Sequence, residues 1–284
     1  MAGLGTDWQR VPLHWSVDLD RGGRWTSLST TDREWLWTNP DPAMAAERAR
    51  VRAAAAQQEP AFVDAGGGEE CWPTVRGEPD HGAAWSRTWT GHPRDATVTV
   101  PGVGSLRRRI TGSEAVEIAY DIAGAPGTGF LHAVHLLLDV GPAARLLVPG
   151  TPVMRVLDSD RPDRHWPDGL DRLGPDDGTA VCALLMETST VTVVDGRHAL
   201  RFSWHSSDQP ERASLLLWRN LRGWPDPQPY RSIGIEPMLG RAADRQAADH
   251  DQLARVGANG RTGWTLRIEG LTRQDVGGDG VVTP

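Results

Sequence analysis

Short apolar segments recur about every 8–12 residues along this chain, separated by turn residues, and almost none of the intervals carries a helical period. That spacing leaves no room for crossover helices, so the strands must pair antiparallel. The expected fold class is all-β, a large antiparallel β-supersandwich. Strands are expected at Val11–Leu19, Trp25–Ser29, Glu34–Trp37, Thr97–Pro101, Leu106–Thr111, Ala115–Ile122, Leu131–Val140 and Arg145–Val148. A Pro/Asp/Gly-rich connection covers Asp158–Gly178, and further strands follow at Ala180–Met186, Val191–Val194, His198–Trp204, Ser214–Trp218, Ser232–Glu236 and Gly263–Ile268. The 32 glycines and 21 prolines are spread throughout, as many short strands require. One segment breaks the pattern. Ala43–Gln58 is rich in Ala and Arg, with Asp41 placed to cap a helix and Pro42 at its first turn, so a helix is expected there, lying on the surface or over the mouth of a site. The expectation is one domain over residues 1–284, with a frayed Gly-rich tail at 275–284.

Composition excludes several classes of function. The chain has 30 basic residues against 37 acidic ones, a net charge of −7, and every basic residue is arginine. The only basic cluster is Arg107-Arg108-Arg109, which reads as part of a strand with the outer two solvated and the middle one on the other face, so nucleic acid is not an expected partner. No apolar run reaches the 18 residues of a membrane helix, and the first residues lack the features of a signal peptide. Cys71 and Cys182 form neither a disulfide framework nor a metal cluster. A cytoplasmic protein, monomer or homodimer, acting on a small molecule is the expectation. The 13 tryptophans against 3 Phe and 2 Tyr supply wide apolar faces with one N–H each, suited to filling a core and, at two to four positions, to stacking on a sugar.

The run Ser232-Ile233-Gly234-Ile235-Glu236-Pro237 carries the most chemistry. In a strand, Ile233 and Ile235 share one face, and Ser232, Gly234 and Glu236 share the other. The second face is a hydroxyl, a gap and an acid, with room for a ligand beside the carboxylate. Pro237, which cannot donate to a ladder, is expected to end the strand. The alternative is a glutamate at a solvent-facing strand end.

Four stretches taken in order resemble the aldose 1-epimerase (galactose mutarotase-like) superfamily, most of all its less characterised bacterial members. They are Gly22-Gly23-Arg24-Trp25 with Glu34-Trp35-Leu36-Trp37; Gly68-Glu69-Glu70-Cys71-Trp72-Pro73-Thr74 running on to His81-Gly82-Ala83-Ala84-Trp85; Phe130-Leu131-His132-Ala133-Val134-His135; and the Glu236 segment. The resemblance spans about Gly22 to Ile268. It implies a β-supersandwich and cofactor-free acid–base chemistry at an anomeric carbon. Glu236 would be the general base that takes the anomeric hydroxyl proton, and a histidine on a central strand the acid that protonates the ring oxygen. His132 and His135 are three residues apart and so face opposite ways. The family pattern favours His135, and either could equally be a satisfied core histidine. His81 matches a second, substrate-binding histidine. Where relatives acting on hexose 6-phosphates carry an arginine, this chain has Trp85, which points to a neutral or differently substituted sugar; Arg87 stands nearby and keeps an acidic substrate as the alternative. Trp85 and Trp72 are candidate stacking faces, and Glu70 a candidate for a sugar hydroxyl, with a solvated loop as the alternative for the Glu69–Glu70 pair. The third polar contact of better-known mutarotases has no match.

Ordinary pKa values of about 4.3 for Glu and 6.5 for His suit such roles once burial tunes them. No P-loop, dinucleotide fingerprint or H-E-x-x-H motif is present, and no metal or cofactor is expected. The competing expectations are a sugar-binding protein without turnover, and a lyase or epimerase acting on a specialised glycosyl metabolite in the same cleft.

Overall fold

The computed structural model describes residues 7–41, 44, 62 and 64–273. The expected helix at Ala43–Gln58, Met44 aside, and the tail at 275–284 lie outside them. The rest is almost entirely antiparallel β in two large sheets and one small pairing, Gly129–Phe130 with Ala254–Arg255.

The ten-stranded sheet runs in the order Arg164–His165, Val153–Val156, Thr179–Met186, Ala213–Leu221, Arg231–Leu239, His132–Leu138, Gly68–Cys71, Arg24–Thr30 and His14–Asp18, with Arg33–Glu34 on Arg24–Thr30. The nine-stranded sheet runs Arg145–Leu147, Thr190–Asp195, His198–His205, Arg261–Arg273, Ala115–Gly124, Gly104–Thr111, Asp95–Val100 and Thr90–His92, with Trp8–Val11 added to Arg261–Arg273. Alternation along each strand sends one set of side chains between the sheets. Ile233 and Ile235 meet a core that includes Phe202, Leu266 and Ile268, all at most 1 % exposed. Each such side chain contributes roughly 1.5–3 kcal/mol by leaving water. The opposite face of the ten-stranded sheet carries a second, smaller cluster of Cys71, Leu131, Ala133, Leu184, Leu216 and Met238, covered by Val75, Leu157, Ala242 and Leu253.

Several expected boundaries shift, for identifiable reasons. Val11–Leu19 is not one strand: Trp8–Val11 joins one sheet and His14–Asp18 the other, and the chain crosses between them at Pro12 and Leu13. Gly263–Ile268 grows to Arg261–Arg273, since neighbours on both sides pair along its length. Pro237 does not end its strand, which continues to Leu239. Pairing with Ala213–Leu221 is continuous through Pro237 and Leu215. Pairing with His132–Leu138 holds at Leu239 and Met238, resumes at Ile235, and leaves Glu236 and Pro237 outside the register. The missing donor thus opens one side of the ladder locally rather than terminating it. The middle arginine of the triplet, Arg108, is fully buried as alternation predicted, while Arg109 is exposed.

Candidate active site

Three central strands of the ten-stranded sheet carry the acid–base groups on the face away from the inter-sheet core. His135 pairs in register with Glu69, and its Nδ1 lies 3.4 Å from Glu69 Oε1. Its Nε2 lies 3.4 Å from Glu236 Oε1, so the imidazole is held between two carboxylates. Glu69 Oε2 also accepts a hydrogen bond from Arg24 Nη1 at 3.1 Å. Gly234 provides the gap that alternation implied: a Cβ there would stand 2.9 Å from Trp218 Cβ, 3.0 Å from Glu236 Oε1 and 3.5 Å from His135 Nε2.

His81 reaches the group from a loop. Its φ of +61° is a left-handed conformation uncommon for histidine, held by its N–H on the Val75 carbonyl at 2.9 Å. Gly82 follows, and a Cβ there would meet the Trp72 carbonyl oxygen at 2.4 Å, so only glycine fits the approach. The His81 ring stands edge-on to His135 with centroids 5.1 Å apart, and its face is stacked on Phe62 at 3.5 Å. Its Nδ1 lies 3.3 Å from Asp80 Oδ1.

Burial sets the electrostatics. Glu236 is 2 % exposed, and Oε2 has no hydrogen-bond partner among the described residues. Desolvation raises its pKa; the charges of His135 and His81 pull the other way, and Glu69 and Asp64 add to the rise. For His135, burial opposes the charged form, but Glu236 first, then Glu69 and Asp64, outweigh it and lift the pKa to about 9. The two shifts favour the charged imidazole on His135 and raise the proton affinity of the Glu236 carboxyl, placing a proton donor beside a proton acceptor. Asp64, also raised by burial, accepts a hydrogen bond from the Tyr230 hydroxyl at 2.5 Å and feels His135, Glu69 and His81.

Of the residues the sequence offered, Glu236, His135 and His81 come together. Glu70 does not, and both readings of it need correction. It lies in a strand rather than a solvated loop, and alternation turns it away from Glu69 into the core, where it is fully buried. There it accepts from Arg108 Nη1 at 2.7 Å, Tyr120 Oη at 3.1 Å and Trp25 Nε1 at 3.4 Å, and lies 3.1 Å from His132 Nε2. His132 accepts from Trp264 Nε1 through Nδ1 at 2.9 Å, which puts its ring proton on Nε2, and so it is the satisfied core histidine of the two. Trp72, 1 % exposed within the main core, offers no stacking face. Nor does Trp85, which is 5 % exposed, with Nε1 donating to the Asp80 carbonyl and its ring edge-on to Phe62. Arg87 is half-buried, and no described hydrogen bond or ion pair joins it to Glu236, His135 or His81. Sequence reasoning missed Arg24, Asp64 and Tyr230 and left Glu69 as loop. The parity of Glu69 with Cys71 and of His135 with Ala133 was the available signal for Glu69; Arg24 stood in the Gly22–Trp25 stretch without a role, and nothing local marked Asp64 or Tyr230.

Glu69, His81 and His135 each bring one donor atom within 4.8 Å of the others, a grouping able to receive a cation. The Arg24 guanidinium on Glu69 and the raised pKa of His135 both compete with a metal for those atoms.

The sequence matches no known family model and no curated protein. Its fold does match solved structures. The Slr1438 protein from Synechocystis sp. PCC 6803 is 14 % identical with a TM-score of 0.68, over 96 % of this chain and 100 % of that one. A galactose mutarotase related enzyme from Lactobacillus acidophilus is 12 % identical with a TM-score of 0.62, over 94 % and 97 %. A galactose mutarotase-like protein from Lactobacillus casei ATCC 334 is 15 % identical with a TM-score of 0.59, over 92 % and 98 %. The chain therefore has the galactose mutarotase-like fold, as the ordered motifs implied. At these identities the likeness is one of architecture, and chemistry must be argued from the site.

Proposed function

We propose that this protein interconverts the anomers of an aldose by acid–base catalysis. Glu236 removes the proton from the anomeric hydroxyl while His135 protonates the ring oxygen. The bond between that oxygen and the anomeric carbon breaks, giving the open-chain aldehyde. Rotation about the adjacent carbon–carbon bond presents the other face of the carbonyl, and ring closure returns both protons. Glu69 and Arg24 orient His135, and His81 faces the same hollow as a hydrogen-bonding partner. The observation that carries this reading is the His135 imidazole 3.4 Å from Glu236, whose second oxygen is buried and bare.

The test is NMR exchange or polarimetry on a panel of reducing sugars. Wild type should accelerate anomer exchange, and Glu236→Gln should lose roughly 10²–10⁴-fold, the range for one positioned acid–base group. No acceleration on any sugar would remove the enzymatic reading. A sugar-binding protein without turnover is the second reading, favoured by Trp85 in place of the arginine of phosphate-handling relatives; sugar binding with no exchange by wild type would select it.

A further inference from the structure

Asp64 is the carboxylate beside this site to which the acid–base scheme gives no task. It is 4 % exposed, and its place is fixed from two sides. Asn39 Nδ2 donates to its main-chain carbonyl at 2.9 Å, and Tyr230 donates to Oδ2. The segment on either side is tied to the same strip of chain, with Asn39 N–H on the Ala65 carbonyl and Gly67 N–H on that of Trp37. Oδ1, by contrast, is buried and has no hydrogen-bond partner among the described residues. A carboxylate serving only the fold is saturated, as Glu70 is with four partners. A rigidly held one with an oxygen left bare fits a partner that arrives with a ligand.

What arrives must be a donor, and the charges nearby say which kind. Among the described residues, Asp64, Glu69 and Glu236 act on one another, facing the Arg24 guanidinium, already bonded to Glu69, and the His135 imidazolium between Glu69 and Glu236. A phosphorylated or uronic sugar would bring further negative charge to three carboxylates; a neutral sugar brings hydroxyl donors. Beside Asp64, the Tyr230 ring lies 4.8 Å from Trp37 and 5.9 Å edge-on from Trp224, which is 42 % exposed, so an aromatic group adjoins the Asp64 carboxyl through the Tyr230 hydroxyl on Oδ2. Resting on the anomer-exchange reading, we infer that Asp64 is a specificity-determining residue whose Oδ1 accepts a hydrogen bond from one ring hydroxyl of a neutral aldose.

The experiment pairs Asp64→Ala, Asp64→Asn and Tyr230→Phe with D-glucose, D-galactose, their single-deoxy analogues, glucose 6-phosphate and glucuronate. KM and kcat for anomer exchange are measured by NMR, and Kd by saturation transfer. Asp64→Ala should raise KM for the preferred parent sugar by about 10–100-fold with a smaller fall in kcat. One deoxy analogue, lacking the contacted hydroxyl, should be indifferent to the substitution. Tyr230→Phe should show a weaker form of the same pattern, and the two anionic sugars should bind worst to wild type. Equal losses on every sugar, an unchanged KM, or a preference for the anionic sugars would overturn the inference. The near-isosteric Asp64→Asn separates this from misfolding, since it should keep the melting temperature and still weaken the parent sugar selectively. If wild type binds a sugar without exchanging it, the enzymatic reading fails while the Kd series decides Asp64 unaided; binding of no sugar in the panel overturns both.

Discussion

Glu69 and Glu70 are neighbours in one strand, and His132 and His135 share another, yet the two glutamate–histidine pairs they form are electrostatic opposites. Glu70 and His132 point between the sheets. Burial resists the charge on Glu70, but hydrogen bonds from His132 and Arg108 more than offset it and hold its pKa below the ordinary value. The Arg108 guanidinium lies over the rings of Trp89 and Trp25, at 4.8 and 5.3 Å. Glu69 and His135 point the other way, toward Glu236, whose raised pKa and bare oxygen leave proton affinity uncommitted. One pair shows what saturation does to a buried carboxylate, the other what remains reactive when saturation is incomplete.

Substitutions can test that contrast. The largest effect should come from Glu236→Gln, which is expected to remove roughly 10²–10⁴-fold of exchange rate with little change in melting temperature; a matching loss of stability would show that the outer pair is structural too. Arg108→Met should do the reverse, destabilising by about 3–5 kcal/mol in denaturant titrations because Glu70 is left buried beside an apolar side chain, while the molecules that remain folded keep their kcat. The pH profile gives a finer measure. The proposed mechanism needs Glu236 ionised and His135 protonated, so kcat/KM should rise through a limb above the ordinary glutamate range and fall through one near pH 9. The folded-state pKa of His135 lies above its ordinary 6.5, so its stabilising contribution is full below about 6.5 and fades as pH climbs through about 9. The stability gap between wild type and His135→Asn should therefore narrow across that window, and a constant gap would mean that packing, not charge, supplies it. Gly234→Ala should have the smallest effect, a stability loss of about 1–3 kcal/mol with displacement of the Glu236 carboxyl, visible as an altered pH profile.

Much of this was legible in the chain before the structure. Strand spacing gave the antiparallel class, and two-residue alternation correctly divided Ser232, Gly234 and Glu236 from the two isoleucines, His132 from His135, and Arg108 from its neighbours. Errors arose where tertiary contacts override local rules. Pro237 reads as a stop, yet continuous pairing with Ala213–Leu221 carries the strand past it. A double glutamate after three glycines reads as solvated loop, and nothing nearby in sequence announces that Arg108, 38 residues on, will hold one of the pair in the core. Asp64 and Tyr230 are 166 residues apart and meet only through the fold. Trp72 and Trp85 drew attention for their chemistry, while core filling decided their positions.

The crossing of the chain at Pro12 and Leu13 has a mechanical implication. Trp8–Val11 is the outer addition to one sheet and His14–Asp18 the edge of the other, so three consecutive peptide units, from Val11 to His14, bridge both layers. Leu13, 2 % exposed and with its N–H on the Ser113 carbonyl, is the rivet between them. Pulling on the N-terminus would load both layers at once, and a cut at this crossing would free the Trp8–Val11 edge while leaving every acid–base group where it stands.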